Sequence, residues 1–336
     1  MVENHYGKPL DTMQLKSNVQ NNFFGQIEYW RNKAFDFYSL SQPQSQCPIC
    51  ESDQYKVVGF IYGWPWHQCK ECTTGFLGRQ IPVSEYTKFL DSTDSEVDYS
   101  ETYTDENVQK YRMESVLKPK VEFIHKHIKN KNSSWLDLGS GNGGMVKIAN
   151  DMGYRAEGVE ISQAAVDFAK KHYDIALHKV SIDEYCRENN NKWDVISAIG
   201  IFEMMNNPVP VIRDIHSMLN HNGIFAANIA NFESLSAQTQ FAHSDQIVAR
   251  VIYPIFYFRF TEKSFSDLLE KIGFEIEAIW HFGMDFYELI NNMIASNPKI
   301  RNSKLIETLR QYTNEFQLVA DQKKMSDNII FIARKK

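Results

Sequence analysis

No run of eighteen apolar residues occurs anywhere in the 336-residue chain, so no membrane-spanning helix is expected. Met1 to Lys8 lack both a basic start and an apolar core, which argues against a secretory signal. Positive charge is not in excess either. The formal net charge is −6, which excludes a general attraction to nucleic acid or to an anionic membrane surface. Cytoplasmic residence is the resulting expectation. Apolar residues make up 43% of the chain, enough for an ordinary globular core.

Cysteine is scarce, at five, yet four of the five stand in two pairs, Cys47/Cys50 and Cys69/Cys72. Each C-x-x-C is a tight knuckle offering two thiolates, and the spacing between the knuckles fits the four-cysteine zinc pattern. Two knuckles complete a closed tetrahedral S₄ site, so the metal would be structural rather than catalytic. A short polar segment buries little core by itself, and the metal would supply its folding energy. Two disulfides would conflict with a reducing cytoplasm. Cys186 stands apart and reads as an ordinary, partly buried thiol.

The densest signal is Trp135-Leu136-Asp137-Leu138-Gly139-Ser140-Gly141-Asn142-Gly143-Gly144. An apolar strand ends in an acid, runs into alternating glycines, and a helical pattern follows. Such a turn brings a ligand against bare backbone and the open N–H groups of the next helix. Gly139, Gly141 and Gly144 also satisfy the dinucleotide fingerprint, so hydride transfer with NAD is an alternative. Asp137, however, occupies a position that a dinucleotide-binding strand keeps apolar, and its carboxylate can meet a cation. Glu160 ends the next strand-like run, where a carboxylate grips a ribose diol. A cationic ligand bearing a ribose fits S-adenosylmethionine (SAM).

Strand and helix patterns alternate from 135 onward. Strands are expected at 135–138, 156–161, 176–180, 194–199, 224–229, 274–281 and 328–333, with helices around 143–152, 163–172 and 264–272. Leu117, Val121, Ile124 and Ile128 announce a helix before the glycine turn. The fold class expected is α/β, a doubly wound and mostly parallel sheet with an N-terminal zinc ribbon and helical insertions near the C-terminus. The division expected is a helical or linker segment at 1–46, the ribbon at 47–78, an acidic linker or lid at 79–105, and the main domain at 106–336. Within the ribbon, 55–62 reads as a strand. Two segments exceed what a minimal fold needs. One, 230–262, is dense in aromatics, Tyr253 among them. The other, 283–327, carries Leu305, Leu309, Tyr312, Phe316 and Val319 as one amphipathic helix; such excursions read as lids or binding elements, and for the second a helix packed on the sheet or in a homodimer contact is the equal alternative.

On Asp137, the glycines, Glu160 and the preceding cysteine pairs, the chain resembles bacterial class I SAM-dependent methyltransferases with an N-terminal zinc ribbon. These act in surface-polysaccharide, sugar or small-molecule biosynthesis. The resemblance implies SAM as cofactor, a structural zinc and a small-molecule acceptor. It places Asp137 near the cofactor's amino end, Gly139 and Gly141 in backbone contact, and Glu160 on the ribose. It also sets Ser181 and Ile182 beside the adenine and Glu203 at the edge of the site. Two departures stand out. The family's Glu-His pair before a proline is here Glu203-Met204 before Pro208, and its His-x-His-Phe-Phe-Thr is Phe256-Tyr257-Phe258-Arg259-Phe260-Thr261. The usual bases are therefore absent. His243, Tyr257 and Arg259 become the catalytic candidates, or the acceptor ionises by itself. An RNA methyltransferase that reads through the ribbon, and a SAM-fold scaffold without catalysis, are the other readings. The acidic run over 84–106 and the net charge oppose the first of these.

Overall fold

A computed structural model describes residues 2–16, 22–82, 84–85, 88, 106–130, 132–243 and 256–336. Most of the acidic run, and Tyr253 in the aromatic segment, lie outside these residues.

The strands, in chain order, are β1 (Glu3–Tyr6), β2 (Gln42–Pro43), β3 (Tyr55–Ile61), β4 (Trp64–Cys69), β5 (Gly75–Leu77), β6 (Arg79–Gln80), β7 (Ser134–Leu138), β8 (Arg155–Glu160), β9 (His178–Lys179), β10 (Trp193–Ile199), β11 (Leu219–Ala230), β12 (Phe258–Arg259), β13 (Phe274–Phe282) and β14 (Asn328–Lys335). Eight of them form one sheet in the order β1-β13-β14-β11-β10-β7-β8-β9. All neighbours are parallel except β14, which runs antiparallel to both β11 and β13. The expected α/β class is borne out.

The central strands are apolar on both faces because both faces are covered. Leu136, Leu138, Ile196, Ala198 and Phe331 join one core, while Trp135, Val195, Ala226, Ile330 and Ile332 alternate into another. The chain runs β7, β8, β9 outward and then returns to place β10 on the other side of β7. The point where strand order reverses therefore lies between β7 and β10, and the crevice of an open α/β sheet forms there.

The N-terminal segment, expected as a helical or linker segment, also contributes strand. Its residues 3–6 add an edge strand to the main sheet, with Tyr6 opposite His281, and the two aromatic stretches fuse into one helix, Phe23–Leu40. The ribbon is likewise no separate bead. β12, from the aromatic segment, pairs with β5 and extends the β3-β4-β5 sheet to four strands. Trp66 stacks on Phe232 at 5.9 Å, Trp64 Nε1 donates to Ala34 O at 2.9 Å, and both tryptophans belong to the same core as Phe202 and Phe258.

The single amphipathic helix expected through 305–319 is corrected to two, Lys304–Gln311 and Thr313–Gln322, broken at Tyr312. Leu305, Tyr312, Phe316 and Val319 are exposed rather than buried. The second helix instead buries Thr313, Gln317, Ala320 and Asp321. Its polar face has a partner that the apolar pattern could not show. Gln317 Nε2 donates to both Asp285 Oδ2 and Asp321 Oδ1, and Asp285 Oδ2 also accepts the Asp327 amide. Burial pushes Asp285 up to about 7 and Asp321 to about 6.

Candidate active site

β7 ends directly in the glycine turn. Gly139, Gly141 and Gly143 all have positive φ, which side chains with a Cβ rarely adopt. At Gly139 a Cβ would sit 2.4 Å from Ile201 Cγ2, so bulk is excluded there as well as disfavoured. At Gly141 nothing lies within 4 Å of the Cβ position, and the same holds at Gly200, which follows β10. The ends of the two strands flanking the reversal point thus look onto open space.

Asp137 is 3% exposed. Its Oδ1 accepts from Ser197 Oγ at 2.5 Å, and Ser197 in turn accepts from Trp135 Nε1 at 2.8 Å. The parallel register sets Ser197 directly beside Asp137. Burial pushes the Asp137 carboxyl up to about 7, the nearby Glu160 charge adds to this, and Ser197 and Lys120 act against it. An anion held so close to neutrality is poised to ionise when a cation arrives.

Glu160 closes the turn from β8. Its carboxylate accepts from the Gly141 amide and from the Ser162 amide, each at 2.8 Å. Ser181 caps the helix Ile182–Glu188, accepting from the Glu184 amide, and the Ile182 side chain reaches to 3.7 Å from the Gly139 Cβ position. The structure therefore brings Asp137, Gly139, Gly141, Glu160 and Ile182 around one turn. Covering it, the buried Asn142 Nδ2 donates to Gln109 Oε1 at 2.9 Å, and Leu117 and Met113 close on Gly144.

Glu203 follows the carboxyl end of β10, in the 3-10 turn Phe202–Met204. It is buried, its Oε1 accepts the Ala230 amide at 2.5 Å, and burial raises its carboxyl against the pull of Arg259. Arg259 is 2% exposed and stacks over Phe256 at 4.8 Å. Tyr257 donates its hydroxyl to Ile81 O at 3.2 Å, and burial pushes the phenol up. Both residues are engaged where the aromatic segment meets the ribbon. His243 is half-buried, with Nδ1 2.9 Å from Ser296 Oγ. The contacts of the three catalytic candidates are with Ile81, Phe256, Glu203 and Ser296.

The four cysteine sulfurs all lie within 4.8 Å of one another, with Cys47–Cys72 and Cys50–Cys69 each at 3.5 Å. A tetrahedral S₄ site with Zn–S near 2.3 Å needs sulfurs about 3.8 Å apart, so the donor set fits zinc. Both knuckles fold alike: the Glu51 amide donates to Cys47 O and the Thr73 amide to Cys69 O, and Glu51 and Thr73 share a positive φ.

Residues 109–279, just over half of the chain, match the family model described as a methyltransferase domain. The chain belongs to this methyltransferase family. No curated protein matches it. Among solved structures, this methyltransferase is similar to a SAM-dependent methyltransferase from Archaeoglobus fulgidus, with 16% identity, 66% of this chain and 93% of that one covered, and a TM-score of 0.45. It is also similar to a plantazolicin methyltransferase in complex with a triazolic analog and SAH, with 17% identity, 75% and 94% covered, and a TM-score of 0.47. A third is the cyclopropane synthase MmaA2 from Mycobacterium tuberculosis, with 16% identity, 66% and 85% covered, and a TM-score of 0.44. No helix of the methyltransferase, among the described residues, is long and apolar enough to cross a membrane.

Sequence reasoning missed Ser197, Lys120 and Asn228. Asn228 carried a signal: it is the one amide in the apolar run 224–229, and it is buried.

Two expectations follow from the turn. Replacement of Gly141 by alanine should leave the melting temperature within a few degrees, since the space is open. It should weaken S-adenosylhomocysteine (SAH) binding by about tenfold, because a methyl group then stands in the open space where the ligand is expected, while the φ strain of about 1 kcal/mol falls on stability in free and bound protein alike. With Asp137 at the ligand's ammonium, as the resemblance implies, SAH affinity should also rise with pH up to about 7 and flatten above it. Below that pH the dissociation constant should change about tenfold per pH unit. Asp137→Asn should abolish the slope; calorimetry across pH checks both.

Proposed function

We propose that this methyltransferase moves the methyl group of SAM to a small-molecule acceptor, a sugar or sugar-like metabolite of surface-glycan or secondary biosynthesis. We also propose that Cys47, Cys50, Cys69 and Cys72 hold a structural zinc. The observation that carries the cofactor half is Asp137 and Glu160 flanking the open Gly141 turn at the point of strand reversal. Bound SAM supplies a methyl group already activated as a sulfonium.

The chain's residues then bind and orient. Asp137 takes the ammonium end, Glu160 accepts the ribose hydroxyls once they displace the Gly141 and Ser162 amides, and Ile182 and Ile201 offer an apolar wall for the adenine. Ser181 acts by capping the helix that carries Ile182. Reactant alignment, rather than proton transfer, carries the rate. Of the candidate bases, Tyr257 and Arg259 are held in the fold, and His243 keeps a half-exposed ring. An acceptor that is already an anion needs none. The absence of disulfides among the described cysteines agrees with a cytoplasmic setting.

The test is calorimetry with SAH, followed by labelled methyl transfer into a metabolite extract. Heat together with a labelled small molecule is the expected result. Binding without transfer would leave a SAM-binding scaffold, and salt-sensitive retention of RNA would redirect the acceptor to nucleic acid.

A further inference from the structure

The helix Thr313–Gln322 turns its polar side inward and its apolar side outward. Tyr312, Phe316, Leu318 and Val319 keep between 40% and 56% of their surfaces in solvent. Tyr312, Phe316, Val319 and Lys323 follow one another by four, three and four residues, so they form one stripe along the outer face. The helix is not free to roll and bury that stripe. On the inner side Gln317 Nε2 donates to Asp285 and Asp321, while its Oε1 accepts the Phe286 amide at 3.0 Å. Asn314 Oδ1 accepts the Leu10 amide at 3.0 Å, and Asp321 Oδ1 accepts the Ser326 hydroxyl at 2.8 Å. Rotation would strand these groups in the interior, so the apolar stripe stays outside. Phe316 is also held in place, stacked on Phe286 with ring centres 4.5 Å apart.

From their exposed fractions, the four apolar side chains offer on the order of 350 Å², as much as the largest patch on many monomers but on one helix. The charges beside them say what it meets. Glu315 and Lys323 are both exposed and stand four residues either side of Val319. In an antiparallel pair of these helices with a two-fold axis at Val319, Glu315 of each copy stands level with the partner's Lys323. The helix dipoles then also oppose one another. A parallel pair would set like charges level instead. An anionic membrane surface would repel Glu315. Two copies would cover about 700 Å² of apolar surface, and the charged rim would bring the interface to about 1,200 Å², the lower end of specific interfaces.

We propose that the outer face of the helix Thr313–Gln322 is a docking surface for a second copy of this chain, in a reversible two-fold dimer, antiparallel and centred on Val319. The test is sedimentation equilibrium of the full chain. Wild type should dimerise with a dissociation constant on the order of 10 μM, weakening as salt rises. Val319→Glu should weaken the dimer at least about tenfold, because it places two unpaired charges at the centre of the interface. Glu315→Lys and Lys323→Glu should each weaken it about tenfold, since each sets like charges level twice, and the double reversal should return to within about threefold of wild type. All three positions are exposed, so each variant should melt with wild type; were Val319→Glu to misfold, the charge reversals decide. Four results overturn the proposal. They are a wild type that stays monomeric to about 1 mM, a dimer that Val319→Glu does not weaken, a double reversal no tighter than the single ones, and monomers that sediment with vesicles of anionic phospholipid. The last would assign the stripe to a membrane surface.

Discussion

Glu160→Ala is expected to weaken SAH binding by about 100-fold while the protein stays folded. The carboxylate now accepts two backbone amides, Gly141 at 2.8 Å and Ser162 at 2.8 Å. Both amides can turn to water when it is removed, since Glu160 is only half-buried, and the cost to stability is about 1 kcal/mol. Binding loses more. Hydroxyl donation to a carboxylate contributes about 1.5–3 kcal/mol per bond. Losing both ribose bonds, less what water restores, gives about 2.7 kcal/mol, which is about 100-fold. Glu160→Gln keeps one acceptor oxygen and should fall between the two. Calorimetry measures the affinity and a thermal melt confirms the fold. An alanine variant that binds SAH like wild type would remove β8 from the cofactor site and with it the reading of the ribose contact. Asp137→Ala should not mimic this result: its side chain is buried, and its loss also strands the Ser197 hydroxyl.

The parts of this site that were legible in the sequence are those dictated by backbone geometry. A glycine that must hold positive φ against Ile201 cannot be disguised, and an acid ending a strand breaks an apolar run where nothing else would put a charge. Asp137, Gly139, Gly141 and Glu160 were readable for those reasons, and the four cysteines for their spacing. What was not legible depends on register and packing across distant segments. Ser197 matters because β10 pairs with β7 one residue at a time, and a serine inside an apolar strand does not announce its neighbour. The helix Thr313–Gln322 was misread because its buried face is polar and its apolar residues face outward, an inversion that only the Asp285 carboxylate explains. Tyr257 and Arg259 looked like site residues because they stand beside Phe256 and Phe258, which replace the family histidines in sequence. The pairing of β12 with β5 turns that segment toward the ribbon, and no local pattern predicts a strand pair spanning some 180 residues.

That same pairing decides what zinc removal should do. A ribbon tethered as a bead would melt by itself and leave the methyltransferase domain unchanged. Here Trp64, Trp66 and Phe76 lie in one core with Phe202, Phe258 and Phe260. Thr73, in the second knuckle, also meets Thr261 Oγ1 at 2.7 Å, and Thr261 is the N-cap of the helix Glu262–Ile272. Loss of the metal should therefore lower the melting temperature of the whole protein in one transition. Cys50→Ser is the informative variant. Cys50 is exposed, whereas Cys47 and Cys69 are buried, so its replacement removes a thiolate with little loss of packing. Structural zinc contributes on the order of 10 kcal/mol in small fingers. With the docked core retained, a loss of about 4 kcal/mol is expected, a fall of about 6 °C for a protein of this size. A strong chelator should reproduce the shift in wild type, and one equivalent of zinc per chain should be found before treatment. Cys186→Ser serves as the control, because that thiol is buried, pushed up to about 12, and outside the cysteine cluster. A Cys50→Ser protein that melts with wild type, or wild type that carries no zinc when purified without chelator, would leave the ribbon held by its aromatic core alone.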